Sequence, residues 1–486
     1  MSIARVPRWL IFIVVALAAR AVTFGNPILH VDEEFYFTAA RAMVDGALPF
    51  VDIWDRKPIG LFLLYAPAAA LGFPAGIWAY QALALGCLVA TAIVAAQLAE
   101  RAGWGRGALP AGLAIILWPN LIDGQGGQAP IFYNLLVIAA VALIAPRADG
   151  QMPGRIFLRG LAAMALVGLA LQIKYSVVFE GAFIGLWLMW GRWRSGVGAA
   201  RVALAGLVWA STALLATALA WGCYAGLGQG RAWLYANFLS ILDRNPDPAL
   251  AQLANLGIIV LLLSPLVASA GLAWRRCARM PAVWPLRSFL FAWCGAAILG
   301  LLLFGTYFDH YALPLVPPLA IAAAGFWSDH RRFAWVVLAV ALVGGQALLL
   351  LKRAQRGTPQ EIAAVSRVIG SGPGCLHVYS GSVILYPMTG RCRVTPWIYP
   401  SHLGRVRERG AIGVDQMSEI DRVLRQRPEW VVMTGPYIGE RADIHARVVA
   451  SVARDYRRVT VLPVGGKRYA LWRRLTPPAR SARSSE

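Results

Sequence analysis

Residues 30–58 read HVDEEFYFTAARAMVDGALPFVDIWDRKP, with three consecutive acids near one end and Asp-Arg-Lys-Pro at the other. The chain around this stretch is of a different kind. Of its 486 residues, 58% are hydrophobic and only 14% are charged, whereas an ordinary soluble domain is about a quarter charged. Apolar runs approaching 20 residues at this density read as transmembrane helices. The bilayer is then the main solvent, and so charged a stretch belongs at its edge or beyond it.

The net charge is +22, from 46 Lys and Arg against 24 Asp and Glu. In a soluble protein this would point to nucleic acid, which basic residues bind through counterion release. Here many arginines sit in short clusters between apolar runs, as the positive-inside rule expects of cytoplasmic loops. Eleven spans are predicted, at 8–24, 77–98, 108–122, 128–145, 157–173, 176–191, 202–225, 251–272, 287–305, 311–327 and 333–351. The clusters Arg101/Arg106, Arg147/Arg155, Arg192/Arg194/Arg201, Arg275/Arg276/Arg279 and Arg331/Arg332 then fall on one side. Arg5 and Arg8 place the N-terminus in the cytoplasm. The first run is kept as an anchor because it is long and no small-residue cleavage site follows it cleanly.

The run at 59–73 would break this parity if it crossed, so it is expected to lie at the interface as a helix. That leaves 25–76 as one large first outer loop, followed by outer segments near 123–127, 174–175, 226–250 and 306–311. Residues 1–351 form the membrane unit. The tail, 352–486, carries 23 Lys and Arg against 10 Asp and Glu and has no run long enough to span. Its pattern predicts an α/β domain with strands in LHVYS, EWVVMTG, RVTVLPV and RYALWRR, and helices over 415–427 and 442–456. Parity puts it outside, which its charge does not oppose because long domains translocate largely regardless of charge. Cys375 and Cys392 both lie in this tail. A disulfide and two separate buried thiols are equally consistent with the sequence, and an oxidising compartment would favour the bridge.

Within the opening stretch, Phe35, Ala39, Ala42 and Met43 recur at helical spacing and Gly46 stands at a C-terminal capping position. Asp32, Glu33 and Glu34 occupy the first turn, where the helix dipole favours acids by about 0.3–1 kcal/mol each. A capped surface helix would account for that much. Acids and bases in one membrane-facing loop also mark a site, because Asp55, Arg56 and Lys57 close the same loop.

An acidic pair after the first span, a helix ending in Gly, PFVDIWDRKP with Lys57-Pro58, an apolar helix and then many spans resemble the membrane glycosyltransferases of GT-C type that use polyprenyl-phosphate sugars. The nearest groups are the protein O-mannosyltransferases and the lipid A aminoarabinose transferases, families 39 and 83. TYFDHYALPLVPP (306–318) resembles the aromatic-His-Tyr element that bacterial members carry before a Pro-containing span. Two positions depart from the pattern: Ile59 stands where a second proline is usual, and Arg56 where some relatives carry an acid.

The resemblance implies a polytopic α-helical fold of GT-C type in a bacterial inner membrane, with a periplasmic α/β domain. It implies a sugar passing from a polyprenyl-phosphate donor, with inversion, to an envelope lipid, glycan or protein. It places the general base at Asp32, with Glu33 as neighbour or alternate, and Lys57 on the donor phosphate. The chemistry needs these types: a carboxylate to deprotonate an acceptor hydroxyl, and cations to neutralise the phosphate. Lys174 with Tyr175, at the outer end of two spans, are further candidates, although a lysine there also fits snorkelling to the interface. Arg244 would be a phosphate contact or a solvated loop charge. Asp309, His310 and Tyr311 would bind sugar or phosphate, or belong with Tyr307 and Phe308 to an aromatic belt.

Arg405, Arg407 and Arg409 in GRVRERG would meet an anionic acceptor or the lipid headgroups. The six histidines show no paired metal-ligand spacing, so no metal is required, and a divalent cation on the 32–34 acids is left open. Nucleotide sugars are excluded by the absence of a Walker loop and by the outer location of the acids, since GLGQGR (226–231) is only a glycine-rich loop. A transporter would show paired repeats with broken helices at the midplane, and no repeat is present. A non-catalytic assembly protein would have its function in the tail.

Overall fold

The computed structural model describes residues 6–146, 155–277 and 284–475. Arg5, Arg147 and Arg279 of the sequence argument lie outside them. In a bilayer every backbone polar group must be satisfied within the segment, which favours helices. The helices run α1 (Arg8–Arg20), α2 (Val31–Val44), α3 (Ile59–Ala70), α4 (Ala75–Arg101), α5 (Gly105–Leu117), α6 (Ala129–Ile144) and α7 (Ile156–Leu171). They continue as α8 (Val178–Arg194), α9 (Ala199–Gly226), α10 (Gly230–Leu234), α11 (Ala249–Cys277), α12 (Trp284–Phe304), α13 (Val316–Trp327) and α14 (Arg331–Arg356). Each of the eleven predicted spans therefore meets a helix. Five stretches, beginning at Ala75, Ala199, Ala249, Pro285 and Arg331, are long and apolar enough to cross a membrane.

In two predicted spans a proline-containing 3₁₀ turn takes the place of part of the helix. Trp118–Asn120 and Asp309–Leu315 are 3₁₀ turns containing Pro119 and Pro314, because a proline within a helix removes a donor and crowds the preceding turn. The tightest packing surrounds α13, which lies against α4, α5, α11 and α12 and is buried along almost its whole length. Small residues allow this approach: a Cβ on Gly107 would lie 2.2 Å from the Ala324 carbonyl oxygen, the close backbone contact typical of membrane helix pairs. By contrast α9 and α11 present exposed leucines, among them Leu207, Leu219, Leu253 and Leu261, as suits surfaces facing lipid.

The α14 helix runs five residues past the predicted boundary at 351 and stops at Gly357, whose φ of +106° suits only glycine. Thr358 and Glu361 then form a reciprocal capping box that starts α15 (Pro359–Ile369). The C-terminal unit adds α16 (Leu385–Thr389), α17 (Pro400–Gly404), α18 (Gln416–Arg425) and α19 (Ala442–Asp455), with strands β1 (Leu376–Val378), β2 (Trp430–Met433), β3 (Tyr456–Val464) and β4 (Lys467–Arg474). All four predicted strands and both predicted helices are present. The sheet order is β1-β2-β4-β3, with β1 parallel to β2 and the other pairs antiparallel. Cys375 and Cys392 are joined as a disulfide.

His377 of β1 is 3% exposed, and neither ring nitrogen has a hydrogen-bond partner among the described residues. Burial lowers its pKa to about 4. Because the folded form resists protonation, the stability this neutral ring permits is present above the unfolded pKa near 6.5 and is lost as pH falls toward 4. Thermal unfolding of the full chain in detergent at pH 7 and pH 5 should show a loss of about 2 kcal/mol attributable to this ring. A His377→Phe variant should lack that part of the loss.

Candidate functional site

The α2 helix begins where His30, in an extended conformation, caps it by accepting from the Asp32 amide at 3.1 Å through Nδ1. It ends at Asp45 and Gly46, the latter at φ +94°. Between these caps, almost every side is covered, packed against α3 and α16, so the helix is enclosed rather than lying on a surface. Successive helical residues point about 100° apart. The acid triplet therefore serves three different places.

Asp32 faces a cavity of about 730 Å³ between the membrane helices and the C-terminal unit. Its Oδ2 lies 3.6 Å from His310 Nε2 and 3.9 Å from His30 Nδ1. Glu33 does not line the cavity. It is 1% exposed and inserts beside Gly126, with Tyr80 Oη 3.4 Å from Oε2. Burial raises its carboxyl to about 7, against the opposing Gly127 amide and Tyr80 hydroxyl. Glu34 accepts the hydroxyl of Ser382 from the C-terminal unit, and burial raises it to about 7 as well.

The remaining sequence-predicted residues, Asp55, Arg56, Lys57, Lys174, Tyr175, Arg244, Asp309, His310 and Tyr311, all line the cavity with Asp32. Lys57 Nζ is 3.6 Å from Asp55 Oδ2. Burial opposes its charge, but Asp55 and Asp32 outweigh burial and hold its pKa above the ordinary value. Lys174 sits 4.0 Å from the centre of the Tyr311 ring, and burial, with Lys57 adding to it, lowers Lys174 to about 7. Tyr175 Oη donates to Asn237 Oδ1 at 2.9 Å. Burial likewise opposes the charge of Asp32, yet His30, Lys57, His310 and Lys174 together hold its carboxyl well below the usual carboxylate range.

Sequence reasoning missed several lining residues: His30, Asp123, Arg356, Tyr399, His402 and Glu408. Glu408 joins Arg56 and Arg244, at 2.6 and 3.0 Å. Burial alone would raise its carboxyl, but Arg56 and Arg244 override it and hold it at about 2. His402 Nε2 lies 4.0 Å from Asp55. GRVRERG was the one signal in this segment, and of its arginines Arg405 and Arg407 line the cavity.

One ligand atom each from His30, Asp32 and His310 lie within 4.8 Å of one another, a carboxylate and imidazole set that fits a divalent ion. The open question of a cation thus moves from the acid triplet, whose carboxylates diverge, to Asp32 and two histidines distant in sequence.

No protein-family model and no curated protein matches the chain. Among solved structures, it is similar to apo ArnT from Cupriavidus metallidurans, with a TM-score of 0.64 and 16% identity over 95% of this chain and 97% of that one. It is also similar to the apo oligosaccharyltransferase of Archaeoglobus fulgidus, with a TM-score of 0.51 and 12% identity over 88% of this chain and 69% of that one. The fold is of GT-C type: a polytopic helical membrane unit followed by a C-terminal α/β unit.

A Cβ on Gly126 would come within 2.2 Å of the Glu33 carboxylate. Gly126→Ala should therefore displace Glu33 and the loop carrying Asp123 and Gln128, destabilising the protein by about 1–3 kcal/mol, as overpacking does. A thermal melt of the purified variant measures this.

Proposed function

We propose that the chain is a membrane glycosyltransferase that moves a sugar from a polyprenyl-phosphate donor to an envelope acceptor on the extracytoplasmic face of a bacterial inner membrane. The observation that carries this reading is the convergence on one cavity of the Asp32 carboxylate with Lys57 and Lys174. The GT-C fold, shared with the solved structures of ArnT and of the oligosaccharyltransferase, supports it.

The donor is a phosphodiester between sugar and prenyl chain. Asp32 takes the proton of an acceptor hydroxyl as its oxygen attacks the anomeric carbon. The bond from that carbon to the phosphate oxygen breaks, and the leaving oxygen keeps the electron pair. The phosphate monoester so formed gains negative charge, which Lys57 and Lys174 stabilise. Attack opposite the leaving group inverts the anomeric centre. His30 and His310 orient Asp32, while His30 also caps its helix. Glu33 is a positioning residue, since its carboxylate packs against Gly126 and lies within reach of the Tyr80 hydroxyl. Tyr399 and His402 of the C-terminal unit line the same cavity, and on this reading they take part in recognising the acceptor.

Asp32→Asn should keep the native elution profile and melting temperature within a few degrees and lower kcat by about 10²–10⁴-fold, the range expected for loss of a general base. Lys57→Ala should lower kcat/KM by roughly 10-fold or more through the donor phosphate. Glycan and lipid profiling of cells lacking the protein, complemented with wild type or Asp32→Asn, reads both substrate and activity. An unchanged envelope, or full complementation by Asp32→Asn, would contradict the assignment. Chelation with EDTA followed by restoration with single divalent ions determines whether the His30, Asp32 and His310 group works with a metal.

A further inference from the structure

Three guanidinium groups in the cavity converge on a single carboxylate supplied by the C-terminal unit. Glu408, 2% exposed, sits in one 3₁₀ turn, Val406–Glu408. Its Oε2 accepts from Arg56 Nη1 at 2.6 Å, and its Oε1 lies 3.0 Å from Arg244 Nη2 and 3.5 Å from Arg407 Nε. The three cations come from three segments: the loop before α3, the loop before α11, and the turn itself. Asp247, 3.0 Å from Arg407 Nη1, compensates a second charge, so the cluster keeps a surplus of one. Arg405, on the same cavity wall, meets the Tyr437 ring at 5.7 Å and no carboxylate among the described residues.

Arg56 also donates to Ser240 and to the Ala411 carbonyl, but Arg244 Nε and Arg407 Nε have no hydrogen-bond partner among the described residues, so the two carboxylate oxygens leave guanidinium N–H groups unoccupied. A phosphate offers more oxygens and up to twice the charge, which is the ligand that converging arginines suit best. Asn245 ties the turn's backbone at the carbonyls of Val406, Arg407 and Arg409, so displacement of the occupant would be a movement of the Glu408 side chain. The turn is followed by Gly410 at φ +79°, with open space around it, and Val406 within it is 51% exposed. Lys57 and Lys174 are engaged elsewhere, with Asp55 and the Tyr311 ring.

We infer that Arg56, Arg244 and Arg407 form a second phosphate-binding site, held in the resting protein by Glu408 as an internal surrogate that a substrate phosphate displaces. The inference rests on reading the cavity as a substrate site. It deepens that reading by assigning the cavity two anion positions, one at Lys57 and Lys174 and one at the arginines. The phosphate at the second comes from an acceptor that itself carries one, or from the donor at a stage when it has shifted along the cavity.

Binding of inorganic phosphate to the full chain in detergent, measured by calorimetry, tests this without turnover, so its outcome is separable from that of Asp32→Asn on transfer. Glu408→Gln should bind phosphate at least 10-fold more tightly than wild type, and Arg244→Ala added to it should abolish the gain. Saturating polyprenyl phosphate should leave phosphate binding intact if the site serves the acceptor, and compete with it if the site serves the donor. Phosphate affinity in Glu408→Gln no tighter than in wild type, with the native elution profile retained, would overturn the inference and leave Glu408 as a lock between the two units. Should Glu408→Gln fail to fold, Glu408→Asp withdraws the carboxylate by one methylene while keeping its charge. It should tighten phosphate by a smaller factor, and unchanged binding there would overturn the inference equally.

Discussion

The structure depends on keeping a cluster of charges at the end of a bundle whose own solvent is hydrocarbon. Asp32, Lys57, Lys174, Arg56, Arg244 and Glu408 line one cavity, and isolated ions would be expensive so close to an apolar core. Partners offset that expense: Lys57 with Asp55, Glu408 with Arg56 and Arg244, and Asp32 with the charges of Lys57 and Lys174 across the cavity. The same compensation gives the cavity its chemistry. It keeps a carboxylate ionised beside cations whose field is screened less than at an open surface.

This constraint also explains why the two units behave as one object. The C-terminal unit reaches the membrane unit through polar contacts concentrated at the site. Ser382 donates to Glu34, Thr38 donates to the Val383 carbonyl at 3.3 Å, the Trp54 amide donates to the Pro396 carbonyl at 3.0 Å, and Glu408 joins the arginines. The disulfide between Cys375 and Cys392 brackets the segment that carries Ser382 and Val383. The helix α2, which carries Asp32, is thus held by both α3 and α16.

The helical layout was legible in the sequence because hydropathy records lipid contact directly, and the strands of the tail because alternation and a Gly-Gly turn mark a hairpin. Ten of the eleven predicted site residues line one cavity, since charges in the loops of so apolar a chain have few other uses. Glu33 does not line the cavity for a geometric reason: one helical step turns its side chain about 100° from that of Asp32, and it inserts beside Gly126 instead. His30 and Glu408 were not legible. The first is paired through His310 and the second through Arg56 and Arg244, contacts that only the folded chain brings together. The breaks at Pro119 and Pro314 were visible as prolines but hidden inside apolar runs.

The central claim is that this cavity opens on the outer side of the membrane, where a prenyl carrier presents its sugar. Thr306 lines it and is partly exposed. A single cysteine placed there, in a chain lacking Cys87, Cys223, Cys277 and Cys294, should react with a membrane-impermeant maleimide in cells whose inner membrane is intact. Reaction only after that membrane is opened would put the acids on the cytoplasmic side and contradict the account.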